Sequence, residues 1–160
     1  DEYKVAKQAD MLMIFYILEE KEVRDIIETM GYKLKPDFLK RNMDYYLART
    51  SHGSTLSRVV HAQLANMIGD SNLSWTLYMD ALNSDFDDIQ GGTTAEGIHL
   101  GVMAGTVLIA LHSYAGLNFR ANKLNFNPKL PKTWKGIHFK VTFRGKQYTV
   151  TIHDDNVEIN

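Results

Sequence analysis

The spacing of hydrophobic residues changes once along this 160-residue chain, near Gly116. Before that point apolar side chains recur every three to four residues, as in a helix, and after it they alternate with polar ones, as in a strand. The predicted helices cover residues 5–18, 22–30, a segment that opens at Pro36, 55–68, 72–86 and 95–114. The predicted strands cover residues 137–143, 147–152 and 157–159, with a turn at Arg144-Gly145-Lys146. We therefore expect helices over residues 1–116 and a small antiparallel β domain over residues 117–160.

Charge and composition exclude several classes of protein. Residues 1–118 carry 10 Lys and Arg against 16 Asp and Glu, whereas residues 119–160 carry 8 against 3. The net charge of −1 gives no overall attraction to nucleic acid or to an anionic membrane, and neither is expected as a partner. The longest apolar run, Met11 to Leu18, is too short to span a bilayer. With no cysteine, thiolate catalysis and cysteine-ligated zinc are excluded.

The longest predicted helix, residues 95–114, has three glycines at intervals of four, namely Gly97, Gly101 and Gly105. Glycines at this spacing lie on one ridge and allow another backbone to approach closely. Because His99 and His112 lie in the same segment, we interpret the ridge as a packing surface within the fold and not as a membrane helix.

Two connections between helices combine hydroxyls, glycine and histidine just before a helix. They are Arg49-Thr50-Ser51-His52-Gly53-Ser54-Thr55 and Gln90-Gly91-Gly92-Thr93-Thr94-Ala95-Glu96-Gly97. A helix N-terminus presents unpaired N–H donors and the positive end of a dipole, which together favour an anion. Short connections make successive long helices antiparallel, so the helices that start at Thr55 and Ala95 should point the same way. The helix bearing Lys7 does so too if the short helix over residues 22–30 is a side element and not a traverse. The pattern predicts an anion site near Lys7, His52 and Thr93.

Helix capping accounts for part of the same pattern. Ser54 or Thr55, and also Thr93, are residue types that commonly cap helices. Thr93 with Glu96 three residues later fits a capping box, which would explain the glutamate without any chemistry.

The remaining histidines give no metal-binding pattern. His61 and His112 lie within predicted helices without a second ligand at a suitable spacing, and His138 and His153 occupy polar strand positions. No metal site is predicted. The residues alone indicate an anion-binding helical domain and nothing finer.

The same segments resemble glycoside hydrolase family 65, the family of maltose, trehalose and kojibiose phosphorylases. The resemblance is carried by Lys7-Gln8-Ala9-Asp10, by residues 49–57 with Val60-His61-Ala62, by residues 90–101 with Met103-Ala104-Gly105-Thr106, and by Leu124-x-Phe126-x-Pro128-x-Leu130-Pro131-x-x-Trp134. It covers nearly the whole chain in order.

The resemblance implies that residues 1–116 are the last helices of an (α/α)6 catalytic barrel and that residues 117–160 are its C-terminal β domain. Family members are several times longer, so the chain would be the C-terminal part of a larger enzyme. That enzyme is expected to be cytoplasmic and a homo-oligomer. The catalytic general acid, a glutamate in this family, would lie upstream, which leaves no catalytic residue here and an inactive chain on its own. The missing upstream part would be its partner.

The resemblance further implies inverting phosphorolysis of an α-glucoside to β-glucose 1-phosphate, with inorganic phosphate as co-substrate and no cofactor. By this likeness Lys7 and Gln8 bind the glucosyl unit. The phosphate pocket would be formed by His52, Gly53, Ser54, Thr55, Gly92, Thr93 and His99.

Residues 49–58 contain no Asp or Glu, which favours a phosphate nucleophile over water activated by a carboxylate base. Two alternatives stay open at this point. One is a hydrolase of the same family, and the other is a non-catalytic helical domain that binds glycans or a protein partner.

Overall fold

The computed structural model describes residues 3–89, 91–92, 94–120, 122–154 and 156–160. They fall into two compact units, residues 1–106 and 107–160. The expected order of a helical part followed by a three-stranded antiparallel sheet is confirmed. The predicted domain boundary at Gly116 stays a prediction. Among the described residues, no helix has the length and apolar content that crossing a membrane requires.

Five helices and the start of a sixth belong to the first unit. They are α1 (Met13–Ile17), α2 (Glu20–Thr29), α3 (Phe38–Leu47), α4 (Leu56–Met67), α5 (Ser71–Leu82) and α6 (Leu100–Leu108), with single 3₁₀ turns at Asp10–Leu12 and Thr94–Glu96. The helices predicted at 22–30, after Pro36, at 55–68 and at 72–86 are confirmed, with ends that differ by a few residues.

Caps and a left-handed glycine explain several of these ends. Helix α2 begins with a capping box, in which the Glu19 N–H donates to Glu22 Oε2 at 2.8 Å. Helix α5 begins where the Leu73 N–H donates to Asp70 Oδ1 at 3.0 Å. Between α4 and α5, Gly69 takes a φ of +84°, a conformation that stops a helix and that other residues rarely adopt.

Helix α4 lies at the centre of the first unit and packs along α5 and against α1 and α3. Its Val60 and Leu64 are buried with Leu12 and Met43 in one apolar cluster. Burying each such side chain stabilises the fold by roughly 1.5–3 kcal/mol. The loop that precedes α4, which holds His52, is therefore attached to a well-anchored helix.

The helix predicted over residues 5–18 is wrong in its first half. Residues 3–9 are not helical, because the backbone of Ala6 pairs with Thr50 in a parallel bridge, and helical turns begin only at Asp10. Lys7 and Gln8 thus lie on an irregular segment and not on a helix. The apolar run that follows buries one face, with Leu12 inside and Met11 exposed.

The prediction of one continuous helix over residues 95–114 is also wrong. Gly97 has a φ of +98°, which interrupts any helix there, so α6 starts at Leu100 and residues 109–114 form a wider π-helix. Of the three glycines, Gly105 alone makes a close approach, since a Cβ there would lie 2.7 Å from Val59 Cγ1. A Cβ on Gly101 would meet nothing within 4 Å, so the glycines do not form one packing ridge.

The second unit contains an antiparallel sheet in the order β1 (Ile137–Phe143), β2 (Lys146–His153) and β3 (Asn156–Ile159). The strand alternation predicted from the sequence is confirmed by the register, in which Phe139 pairs with Val150 and Val141 with Tyr148. Val150 and Ile152 are fully buried with Ala115. Gly116 is also required here, because a Cβ on it would lie 2.1 Å from the carbonyl oxygen of Asn127.

Candidate functional site

The Lys7 segment and the His52 loop are joined by backbone hydrogen bonds. The Ala6 N–H donates to the Arg49 carbonyl at 3.1 Å, the Ser51 N–H to the Ala6 carbonyl at 2.8 Å, and the Gly53 N–H to the Lys7 carbonyl at 2.9 Å. A Cβ on Gly53 would lie 3.1 Å from Lys7 Cγ, so glycine permits this close approach. The expected proximity of Lys7 and His52 is confirmed. The Gly53 N–H is used in holding the two segments together.

The N-terminus of α4 keeps open donors. In the part of the chain that the structure describes, the N–H groups of Ser54, Thr55 and Leu56 have no hydrogen-bond partner. The prediction that Ser54 or Thr55 caps this helix is wrong, because Thr55 occupies the N-cap position without a side-chain cap bond and lies in the helical backbone region. The hydroxyls are therefore not used in capping, and this end of α4 can receive an anion.

His52 is held by its neighbours in an unusual conformation. Its φ is +54°, a left-handed value that few residues other than glycine adopt and that recurs at functional sites. Its Nδ1 lies 3.0 Å from Ser57 Oγ. Burial lowers the pKa of His52 to about 4, and the nearby His61, Arg58 and Lys4 add to the effect. His52 is therefore neutral at physiological pH.

His61 lies behind His52 and is fully buried in α4. Its ring meets that of His52 edge to face, with centroids 5.0 Å apart. Burial lowers the pKa of His61 as well. Because burial disfavours the charged imidazolium, the neutral form of both rings is favoured in the folded protein.

His99 belongs to a different set of contacts. Its ring Nδ1 lies 2.7 Å from Asp85 Oδ1, and its backbone N–H donates to Asp85 Oδ2 at 2.8 Å. The hydrogen bond to Asp85 raises the pKa of His99, with Glu96 Oε2 adding a contact 3.6 Å from Nε2. Burial opposes ionisation of Asp85, but its hydrogen bonds with His99 prevail and lower the pKa of Asp85. Asp85 thus stabilises the charged imidazolium form of His99.

Gly92 already donates to a carboxylate. Its N–H lies 2.7 Å from both Asp88 oxygens, and the Thr94 N–H lies 3.3 Å from Asp88 Oδ1. The predicted phosphate contact from Gly92 would require phosphate to replace Asp88. Thr93, predicted as a phosphate ligand and as part of a capping box with Glu96, lies outside the described residues.

The arrangement suits the binding of an anion. The loop before α4 combines a neutral histidine with the open N–H groups of α4. His99 is held separately by Asp85 and Glu96, and the expected meeting of the two connections stays a prediction. Gln8 donates from Nε2 to Asp10 Oδ1 at 2.7 Å, which fixes the orientation of its amide. Ser57, Asp85 and Asp88 were not among the residues predicted from the sequence. For Ser57 a signal existed, because Ser57 and His61 are one helical turn apart.

Two family models match the chain over nearly its whole length. Residues 1–108 match the family model described as the glycosyl hydrolase family 65 central catalytic domain. Residues 117–160 match the model described as the glycosyl hydrolase family 65 C-terminal domain.

Individual relatives are phosphorylases by name. The chain is 44% identical over 154 residues to trehalose 6-phosphate phosphorylase of Lactococcus lactis subsp. lactis, covering 96% of this chain and 20% of the relative. It is 32% identical over 155 residues to α,α-trehalose phosphorylase of Thermoanaerobacter brockii, covering 97% of this chain and 18% of the relative.

A solved structure of a candidate kojibiose phosphorylase from the human microbiome matches with a TM-score of 0.75 and 31% sequence identity. The match covers 96% of this chain and 20% of that structure. The chain therefore spans about a fifth of the length of the relatives it matches.

Proposed function

Because the chain belongs to glycosyl hydrolase family 65, we propose that it is part of a disaccharide phosphorylase and supplies the phosphate-binding loop together with part of the glucose subsite. The longer enzyme converts an α-glucoside and inorganic phosphate to β-glucose 1-phosphate and a free sugar. In this proposal the helices described here close an (α/α)6 barrel whose other helices come from the upstream polypeptide.

The observation that carries the proposal is the makeup of the loop before α4. Residues 49–58 contain hydroxyls, imidazole and glycine but no carboxylate. The open N–H groups of Ser54, Thr55 and Leu56 end this loop at the positive end of a helix dipole. A phosphate carries its own negative charge and needs donors around it, whereas a carboxylate there would repel it.

The reaction follows from placing phosphate where an inverting hydrolase places water. A phosphate oxygen forms a bond to the anomeric carbon while the bond from that carbon to the leaving oxygen breaks. The leaving oxygen takes a proton from a general acid in the upstream polypeptide. Attack on the face opposite the leaving group inverts the anomeric configuration.

The residues of this chain bind and orient in that scheme. Lys7 and Gln8 donate to hydroxyls of the glucosyl unit, and the bridge between Ala6 and Thr50 sets their distance from the phosphate loop. His52, Ser54 and Thr55 donate to phosphate, together with His99, whose pKa Asp85 raises. Because the acid lies elsewhere, the 160-residue chain alone is inactive, and a homo-oligomeric state belongs to the longer enzyme.

Phosphate dependence tests the proposal. We expect the full-length enzyme to cleave its disaccharide and release glucose 1-phosphate only when phosphate is present, because the phosphate oxygen is the nucleophile. Trehalose 6-phosphate, trehalose, maltose and kojibiose are assayed in parallel, with and without phosphate. Trehalose 6-phosphate is included because the 44% identical relative is named for it.

The hydrolase alternative gives a different result in the same assay. Release of free glucose from any of the four sugars at a rate that phosphate does not change would contradict the phosphorylase proposal. Absence of turnover with these four sugars and with other α-glucosides would favour the non-catalytic alternative.

A further inference from the structure

His61 of α4 and His52 of the loop before it both lie within hydrogen-bond distance of Ser57, an arrangement that anion binding alone does not require. Ser57, between the two rings, is 1% exposed, and His61 is 0% exposed. Neither side chain is placed to contact a ligand directly. Their hydrogen bonds, however, determine which nitrogen of His52 carries the hydrogen.

The carbonyl oxygen of Ser57 determines which ring nitrogen of His61 carries the hydrogen. Its Nδ1 lies 2.7 Å from the Ser57 carbonyl oxygen, which can only accept a hydrogen bond. The hydrogen of the neutral His61 ring is therefore on Nδ1. Its Nε2 is buried without a partner in the described part of the chain, which is consistent with a nitrogen that carries no hydrogen.

The hydroxyl of Ser57 lies close to a ring nitrogen of each histidine. His61 Nδ1 lies 3.4 Å from Ser57 Oγ, and because this nitrogen bears its hydrogen it cannot accept from the hydroxyl. The hydroxyl hydrogen of Ser57 is left to donate to His52 Nδ1 at 3.0 Å. His52 Nδ1 is then an acceptor, and the single hydrogen of the neutral His52 ring lies on Nε2.

We propose that Ser57 and His61 are positioning residues that hold His52 in the tautomer with its hydrogen on Nε2, so that His52 can donate to phosphate and cannot act as a base toward water. This inference rests on the proposed function, because it assigns His52 to the phosphate pocket. In the other tautomer a lone pair on Nε2 would face the negatively charged oxygens of the phosphate.

Kinetic constants of the full-length enzyme with inorganic phosphate test the inference. Ser57→Ala removes the hydroxyl that orients His52, and we expect the KM for phosphate to rise about five- to tenfold while the KM for the disaccharide changes less than twofold. Ser57→Thr, which keeps a hydroxyl, should restore most of the phosphate affinity.

A second buried helical serine provides the matched control. Ser74 is 0% exposed in α5, and its hydroxyl donates to the Ala62 carbonyl at 2.8 Å. Ser74→Ala should lower stability without changing the KM for phosphate. An increase in that KM as large as the one caused by Ser57→Ala would show a general effect of destabilisation and overturn the positioning role.

Two further results separate the inference from the proposed function. Wild-type turnover that is independent of phosphate would overturn the proposed function itself. A wild-type phosphate KM that Ser57→Ala leaves unchanged would overturn the positioning role alone.

If Ser57→Ala does not fold, a pair of substitutions at His61 answers the same question. His61→Asn places an amide N–H near the position of Nδ1, whereas His61→Leu places none there. We expect a higher KM for phosphate in His61→Leu than in His61→Asn, and equal values would overturn the positioning role.

Discussion

The double substitution His52→Ala, Ser54→Ala is expected to lower kcat/KM for phosphate by about 10³-fold in the full-length enzyme. Removing one preorganised donor to a reacting oxyanion commonly costs 10²–10³-fold in rate, and this variant removes an imidazole and a hydroxyl from one loop. Initial rates of glucose 1-phosphate release over a range of phosphate concentrations measure the effect. The KM for the disaccharide should change much less, because Lys7 and Gln8 are retained.

The chain offers a matched control in which one imidazole and one hydroxyl are also removed. His138 and Thr151 lie on adjacent strands, with Nδ1 and Oγ1 2.9 Å apart on an exposed face of the sheet. His138→Ala, Thr151→Ala should leave all kinetic constants within about twofold of wild type. Turnover that survives His52→Ala, Ser54→Ala to within threefold would contradict a phosphate role for this loop and favour the non-catalytic alternative.

Asp85→Asn should weaken phosphate binding about ten- to thirtyfold, because a charge-assisted hydrogen bond is replaced by a neutral one. Asp85 raises the pKa of His99, so in wild type the positive charge persists as the pH rises until the raised pKa is passed. Asparagine lowers that pKa, so the charge is lost at a lower pH. The ratio of the variant and wild-type phosphate KM values should be small at acid pH and largest between the two pKa values.

Comparing the two enzymes at each pH cancels the titration of phosphate itself. Asp87→Asn is the control for charge, since Asp87 is an exposed carboxylate of the same connection. It should leave the phosphate KM unchanged at every pH. A ratio for Asp85→Asn that is constant from pH 5.5 to 8.5 would show that the charge of His99 is not used in binding.

Local sequence patterns predicted the helices and strands in which the spacing of apolar residues matches their burial. Helix α4 and the pairing of β1 with β2 were predictable, because the apolar spacing of residues 55–68 and the alternation of residues 137–143 match their burial. The non-helical path of residues 3–9 was not predictable, since it depends on pairing between Ala6 and Thr50, which are far apart in the sequence.

The site was predictable in residue types and less so in contacts. The His52 loop was identified from its hydroxyls, glycine and position before a helix, yet its hydroxyls do not cap α4. Asp85 was missed because it precedes His99 by 14 residues across an irregular connection, whose path no periodicity describes. Asp88 was missed for the same reason, since its hydrogen bond from the Gly92 N–H depends on the path of the same connection.

The most direct test is a crystal structure of the full-length enzyme with phosphate bound. We expect a phosphate whose oxygens lie about 2.7–3.1 Å from the backbone nitrogens at the start of α4 and from Nε2 of His52. A phosphate bound elsewhere in the active site at saturating concentration, with the donors of Ser54 and Thr55 still open, would contradict it.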